Sequence, residues 1–223
     1  MPFPRPVRAV VFDMDGLLVD TEQLVFQAMR AAAEGLGTEM PFALFQRLVG
    51  LPAAVSEAIV REHFGAGFDP AAWRAGVSHH FQDMARAGIA LKGGVIELLD
   101  LLDARSLPRA IATSSARQAV EHSLEPHGLI HRFDAIVSRE LQTRHKPHPE
   151  PFLKAAEALG VDPADCLALE DSHNGVRAAA AAGMMTVMVP DLLDPTEEMH
   201  GLALHIARDL HEVREMLGDQ VEP

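Results

Sequence analysis

A single cysteine, Cys166, stands among 223 residues, so neither an internal disulfide nor a thiolate zinc site is open to this chain. Within an apolar run it reads as small core filler. Basic residues are scarce as well. Nineteen Lys and Arg face 32 Asp and Glu, a formal charge of −13, which disfavours nucleic acid as a partner because phosphate backbones demand basic surface. Long apolar runs are missing too. The longest uncharged stretch, residues 178–190, is too short to span a bilayer, and the run 9–12 is too short for a signal peptide. A cytoplasmic protein with no membrane attachment is the expectation. Residues 12–17 hold one glycine only, which counts against a dinucleotide-binding turn. No internal repeat is visible, and none of the twelve histidines recurs at zinc-ligand spacing with a third ligand.

What is present is apolar material, 48% of the chain, enough for a sizeable core. Short apolar runs, most of them rich in Val and Ile, recur at 9–12, 109–112, 135–137, 166–169 and 186–189. They lack polar alternation, as strands buried on both faces do. Helical patterns lie between them at 95–104, 116–127, 151–160 and 174–182. Strand alternating with helix predicts an α/β fold around an open parallel sheet with right-handed crossovers. One interval breaks the alternation. Residues 21–36, 41–48, 53–64 and 70–87 all read as helix, with no strand among them. About seventy residues is far too long for a connecting loop, so an all-helical domain is inserted after the first strand. The expected division is a core of 1–18 and 89–223, with an insertion of 19–88.

In a parallel sheet, ligands sit beyond the carboxyl ends of the strands. Reading those ends gives Asp13 and Asp15, then Thr113-Ser114-Ser115, then Lys146-Pro147, then Glu170 and Asp171. Four carboxylates crowded together repel unless a cation lies among them, and hard oxygen ligands suit Mg²⁺. Asp13, held at a strand end, is the natural nucleophile. Asp15 can exchange a proton with a leaving oxygen, and Gly16 permits a sharp turn. Thr113 and Ser114 mark an anion site at a helix start, with Ser115 as its N-cap. Lys146 neutralises phosphoryl oxygens, and Pro147, Pro149 and Pro151 hold the following segment extended. Singly, each group has an ordinary reading as solvated strand end, surface charge or helix cap. Those readings do not explain why all of them fall at strand ends in order.

Residues 13–21 (DMDGLLVDT), Thr113 after IAT, Lys146-Pro147 and residues 170–184 (EDSHNGVRAAAAAGM) resemble the four motifs of the haloacid dehalogenase superfamily. The subgroup most resembled holds β-phosphoglucomutase and small sugar-phosphate and phosphoglycolate phosphatases. That resemblance implies a Rossmann-like core, a helical cap and an aspartyl-phosphate intermediate. It implies Asp13 as nucleophile, Asp15 as acid/base, Thr113 as phosphate ligand and Lys146 as balancing cation. Mg²⁺ would be held by Asp13, the Asp15 carbonyl and Asp171, with Glu170 binding directly or through water. Gly50 and Leu51, in Gly50-Leu51-Pro52, resemble the family's substrate-specificity loop.

Two departures bear on activity. Asp15 is absent from haloacid dehalogenases themselves, so phosphoryl chemistry is favoured. Where β-phosphoglucomutase carries a histidine and an arginine, this chain has Val25 and Ala53, which favours a hydrolase and places the mutase second. Trp73 and the phenylalanines of the insertion read as core, and His79-His80 as solvated. A phosphoacceptor signalling domain would be about half this length, and a silent binding protein would have lost a motif residue. The expected partner is a small phosphorylated metabolite, and the expected state a monomer or weak homodimer.

Overall fold

The structure, a computed structural model, describes residues 3–49, 51, 53–65, 67–86 and 88–219, without the side chains of 53 and 54. Gly50, expected at the substrate, lies outside the described residues. Among the described residues six strands form one sheet: β1 Ala9–Phe12, β2 Arg109–Ala112, β3 Ala135–Val137, β4 Cys166–Glu170, β5 Met185–Met188 and β6 His205–Ile206. Their order is β3-β2-β1-β4-β5-β6, with every neighbouring pair parallel. This is the strand order of a Rossmann-type sheet. β1 lies between β2 and β4, with Val11 opposite both Ala110 and Ala168.

All four residues of β1 are fully buried, which is why its sequence, AVVF, shows no polar alternation. Ala9 and Val11 face one side with Ala110, Ala112, Cys166 and Ala168. Small residues there let helices α7 (Glu150–Leu159) and α8 (His173–Ala181) approach through Phe152, Ala155, Ala178 and Ala179. Val10 and Phe12 point to the opposite face by strand alternation. Phe12 meets Phe133 edge to face at 5.8 Å. Each buried Val or Phe contributes about 1.5–3 kcal/mol relative to exposure. The remaining core helices are α5 (Val95–Ala104), α6 (Arg117–Leu124), α9 (Glu197–Leu202) and α10 (Leu210–Gly218). The helix expected over 116–127 breaks after Leu124 into a 3-10 turn, Glu125–His127. Pro126 has no N–H for the α ladder.

Residues 20–90 pack as a compact unit of their own, apart from 1–19 and 91–223. Their helices are α1 (Thr21–Gly35), α2 (Phe42–Leu48), α3 (Ala53–Phe64) and α4 (Pro70–Arg86). The core of this unit gathers Ala32, Ala33, Met40, Leu44, Leu48, Val60 and Trp73. Trp73 is buried, and its indole N–H donates to the Met29 carbonyl at 3.3 Å. It serves packing, as its sequence context implies. The two chain segments that bound the unit run antiparallel. Val19 bridges Leu91, Lys92 N–H donates to Leu18 O at 3.0 Å, and Asp20 N–H donates to Ala90 O at 2.9 Å. Among the described residues no helix is long and apolar enough to cross a membrane.

Candidate active site

The strand order reverses between β1 and β4, and the crevice beyond such a switch is where this kind of sheet binds ligands. Asp13 is the first residue past β1. Its N–H donates to Leu169 O at 2.9 Å, extending the β1–β4 ladder and fixing the backbone beneath the carboxylate. Glu170 ends β4, and Asp171 follows it. The carboxylates of Asp13, Glu170 and Asp171 are all buried, and one oxygen from each lies within 4.8 Å of the others.

Lys146 is no surface charge, since its side chain is only 7% exposed. The ammonium donates to Asp13 Oδ1 and, at 2.5 Å, to Glu170 Oε1, and lies 5.0 Å from the centre of the Phe152 ring. Glu170 Oε2 accepts from the N–H of Ser172 at 3.1 Å and its hydroxyl at 3.0 Å. The Ser172 hydroxyl also accepts from Gly175 N–H at 3.1 Å and so caps α8. Burial pushes the Asp13 carboxyl up to about 7; Lys146 pulls against this, while Glu170 and Asp15 add to it. Burial alone would lower the Lys146 pKa, but the charges of Asp13 and Glu170 outweigh it and hold the ammonium protonated.

Asp15 is held from the next strand. Its Oδ2 accepts from the Ser115 hydroxyl at 2.7 Å and from the Thr113 hydroxyl at 3.4 Å. Thr113 is fully buried, its Oγ1 accepts from Ser115 N–H at 3.0 Å, and its carbonyl accepts from Gln142 Nε2 at 2.7 Å. Ser115 is therefore not the helix cap expected of it. Helix α6 starts at Arg117, after Ala116, with no side-chain cap. The hydroxyl goes instead to a charged carboxylate, the stronger acceptor. Ser114 stands exposed at the same strand end.

The segment after Lys146 is not extended either. His148 N–H donates to His145 O at 2.9 Å, closing a turn. Glu150 anchors this loop, accepting from Thr143 N–H at 2.7 Å, the Thr143 hydroxyl at 2.7 Å and Arg144 N–H at 3.0 Å. Hydrogen bonding from Lys154 and from Thr143 lowers the Glu150 carboxyl to about 2. Leu51 lies within the helical unit, where it lines a cavity of about 450 Å³ with Val25, Met29, Trp73, Val77 and Phe81.

Several residues of the site escape sequence reasoning. Gln142 and Ser115 act on partners distant in the chain. Asp191 carries a signal that the strand-end rule could have used, since it closely follows β5 just as Asp171 follows β4. Its Oδ1 accepts from Lys92 Nζ at 2.6 Å. Gly16 (φ +83°) is needed for more than its turn, because a β-carbon there would fall 3.0 Å from Asp171 Cγ.

The donor set is oxygen only, buried and over-supplied with negative charge, which fits a hard divalent cation and not a zinc or copper site. Residues 10–189 match the family described as haloacid dehalogenase-like hydrolase. A probable pseudouridine-5'-phosphatase of Drosophila melanogaster is 36% identical over 199 residues, covering 84% of this chain and 83% of that protein. Hexitol phosphatase B of Escherichia coli K12 is 33% identical over 196 residues, covering 85% and 86%. The crystal structure of a Thermotoga maritima protein provisionally assigned as a beta-phosphoglucomutase superposes with a TM-score of 0.80. It is 29% identical, and the match covers 96% of this chain and all of that one. By its matched span, its relatives and its fold, this chain belongs to the haloacid dehalogenase-like hydrolase family.

Proposed function

We propose that the chain is a Mg²⁺-dependent phosphatase of small phosphorylated metabolites, of the sugar-phosphate or phosphoglycolate type, acting through a phosphoryl group carried on Asp13. The observation that supports this best is the joining of Asp13, Lys146 and Glu170 at the sheet's switch point, with Asp15 hydrogen-bonded alongside. Asp13, the Asp15 carbonyl and Asp171 would hold the metal, and Glu170, already fixed by Lys146 and Ser172, would support it. When bound, Mg²⁺ neutralises charge on the phosphoryl oxygens and on Asp13.

In the first step an Asp13 oxygen attacks phosphorus, the ester P–O bond breaks, and Asp15 gives its proton to the departing alkoxide. In the second, Asp15 takes a proton from water as the water oxygen attacks phosphorus. The Asp13–phosphorus bond breaks, and inorganic phosphate leaves. Thr113, Ser114 and Lys146 bind the phosphoryl oxygens. Lys146 and the metal supply the local attraction that a chain of charge −13 otherwise lacks for an anion. The inserted helical unit serves as a cap that excludes bulk water, with Leu51 contacting the leaving group.

Trapping tests the reading directly. Enzyme turning over a phosphate ester with Mg²⁺ is quenched with borohydride, which reduces an acyl phosphate to the alcohol. Homoserine at position 13, found by peptide mass spectrometry, is the expected result. Turnover with Asp13 unmodified in every quench would overturn it.

The Thermotoga structure supports a second reading, a phosphoryl-transfer mutase. Against it, Val25 lines an apolar cavity and offers no polar contact to a sugar. Supplied with β-glucose 1-phosphate and a trace of the 1,6-bisphosphate, the enzyme should release phosphate faster than it forms glucose 6-phosphate.

A further inference from the structure

One carboxylate beside the site takes no part in the chemistry above. Asp191 follows β5 on the strand next to Glu170, and its two oxygens have different fates. Oδ1 is held by Lys92, on the return segment just before α5. Oδ2 is buried and has no hydrogen-bond partner among the described residues. A buried carboxylate oxygen left unsatisfied is costly, so a donor from outside the protein is called for.

What lies near Oδ2 identifies that donor. The point where a Gly16 β-carbon would stand is 3.4 Å from Asp191 Oδ2 and 3.0 Å from Asp171 Cγ, with Asp171 Oδ2 nearer still. The orphan oxygen thus lies beside Asp171, a member of the three-carboxylate cluster. The nearby ammonium groups are engaged elsewhere, Lys92 on Asp191 Oδ1 and Lys146 on Asp13 and Glu170. Mg²⁺ dehydrates reluctantly and keeps several waters, each a strengthened donor. We propose that Asp191 is a positioning residue for the metal, its Oδ2 accepting a hydrogen bond from a metal-bound water while Lys92 fixes its orientation and offsets its charge. The proposal rests on reading Asp13, Glu170 and Asp171 as a Mg²⁺ site.

The pair then makes a signed prediction that a merely structural ion pair does not. Asp191→Asn removes a negative charge beside the metal, so the Mg²⁺ dissociation constant should rise about tenfold. Lys92→Met leaves the Asp191 charge uncompensated, so Mg²⁺ should bind several-fold more tightly. Isothermal titration of metal-stripped protein with Mg²⁺ reads both, with thermal unfolding in EDTA as the check on folding. Should Asp191→Asn fail to fold, Asp191→Ser is titrated in its place. Opposite shifts in the two variants support the proposal. Wild-type affinity in the Asp191 variant, or equal weakening in both, overturns it and leaves the metal site standing. Wild-type protein that binds no Mg²⁺ overturns the metal site and this proposal together.

Discussion

Gly175 lies so close to Glu170 that a β-carbon on it would occupy the space of the Glu170 carboxylate. Glu170 is fully buried and held by Lys146 and Ser172, so it has nowhere to retreat. Gly175→Ala should therefore destabilise the fold by about 3 kcal/mol or more and disable the site. Gly201 sits in helix α9 with nothing within 4 Å of its would-be β-carbon. There the same substitution should stabilise by about 0.5 kcal/mol. Urea unfolding of the two variants checks the contrast, and similar effects at both positions would contradict it.

Asp13→Asn should lower turnover at least about a thousandfold, because an amide is no useful nucleophile. It should not lower stability. In metal-free protein the Asp13 carboxyl titrates near 7, above its unfolded value of 3.8. The folded state then holds a proton that the unfolded state has lost, so stability declines as pH rises from about 4 to about 7. The amide has no proton to lose. Melting temperatures in EDTA should thus move in favour of Asp13→Asn between pH 5 and pH 8. A constant difference would show that Asp13 titrates as an ordinary carboxylate.

Asp15 should act as general acid only where the leaving group needs one. On an alkyl phosphate, Asp15→Asn should slow phosphorylation by about two to four powers of ten, and on p-nitrophenyl phosphate by much less. Ser115→Ala removes the 2.7 Å hydrogen bond that aims Asp15, and should show the same bias on a smaller scale, about tenfold. Pre-steady-state release of the leaving group reads the first step alone. Equal losses on both substrates would assign the two residues a structural role.

Cys166 is fully buried, and burial pushes its thiol up to about 11, with Asp165 and Asp162 adding to the shift. At pH 8 it should stay unreactive toward a thiol reagent until the protein unfolds. Its labelling rate across a denaturant series should follow global unfolding. Rapid labelling of native protein would mean that β4 opens locally.

Much of this was legible in the chain because buried parallel strands write themselves as short, mostly apolar runs without polar alternation, and β1 to β5 follow that pattern apart from Arg109, Thr186 and Glu170. The strand β6, two residues with His205 at its start, is too short to carry a period. The helix α10 did leave a trace, Leu210, Val213 and Leu217 behind Asp209, whose side chain accepts from Glu212 N–H. Asp13, Thr113, Lys146 and Glu170 are visible because strand ends converge by topology alone. Ser115 is different. Local sequence makes it a cap, and only the fold brings Asp15, a hundred positions earlier, to its hydroxyl. Likewise, no local signal tells Lys92 that its partner is Asp191.

The bridge between Val19 and Leu91 sets how freely this scaffold can be re-equipped. The chain leaves the core unit and rejoins it at neighbouring points, Val19 and Leu91. Loop-closure entropy grows only with the logarithm of length, about 0.6 kcal/mol for each doubling. A longer, shorter or unrelated insertion can thus be carried between those points with little change in core stability. Asp13, Lys146 and Glu170 all lie outside the exchanged interval. Selection can therefore exchange the inserted helices while the buried cluster at the switch point of the sheet descends unaltered.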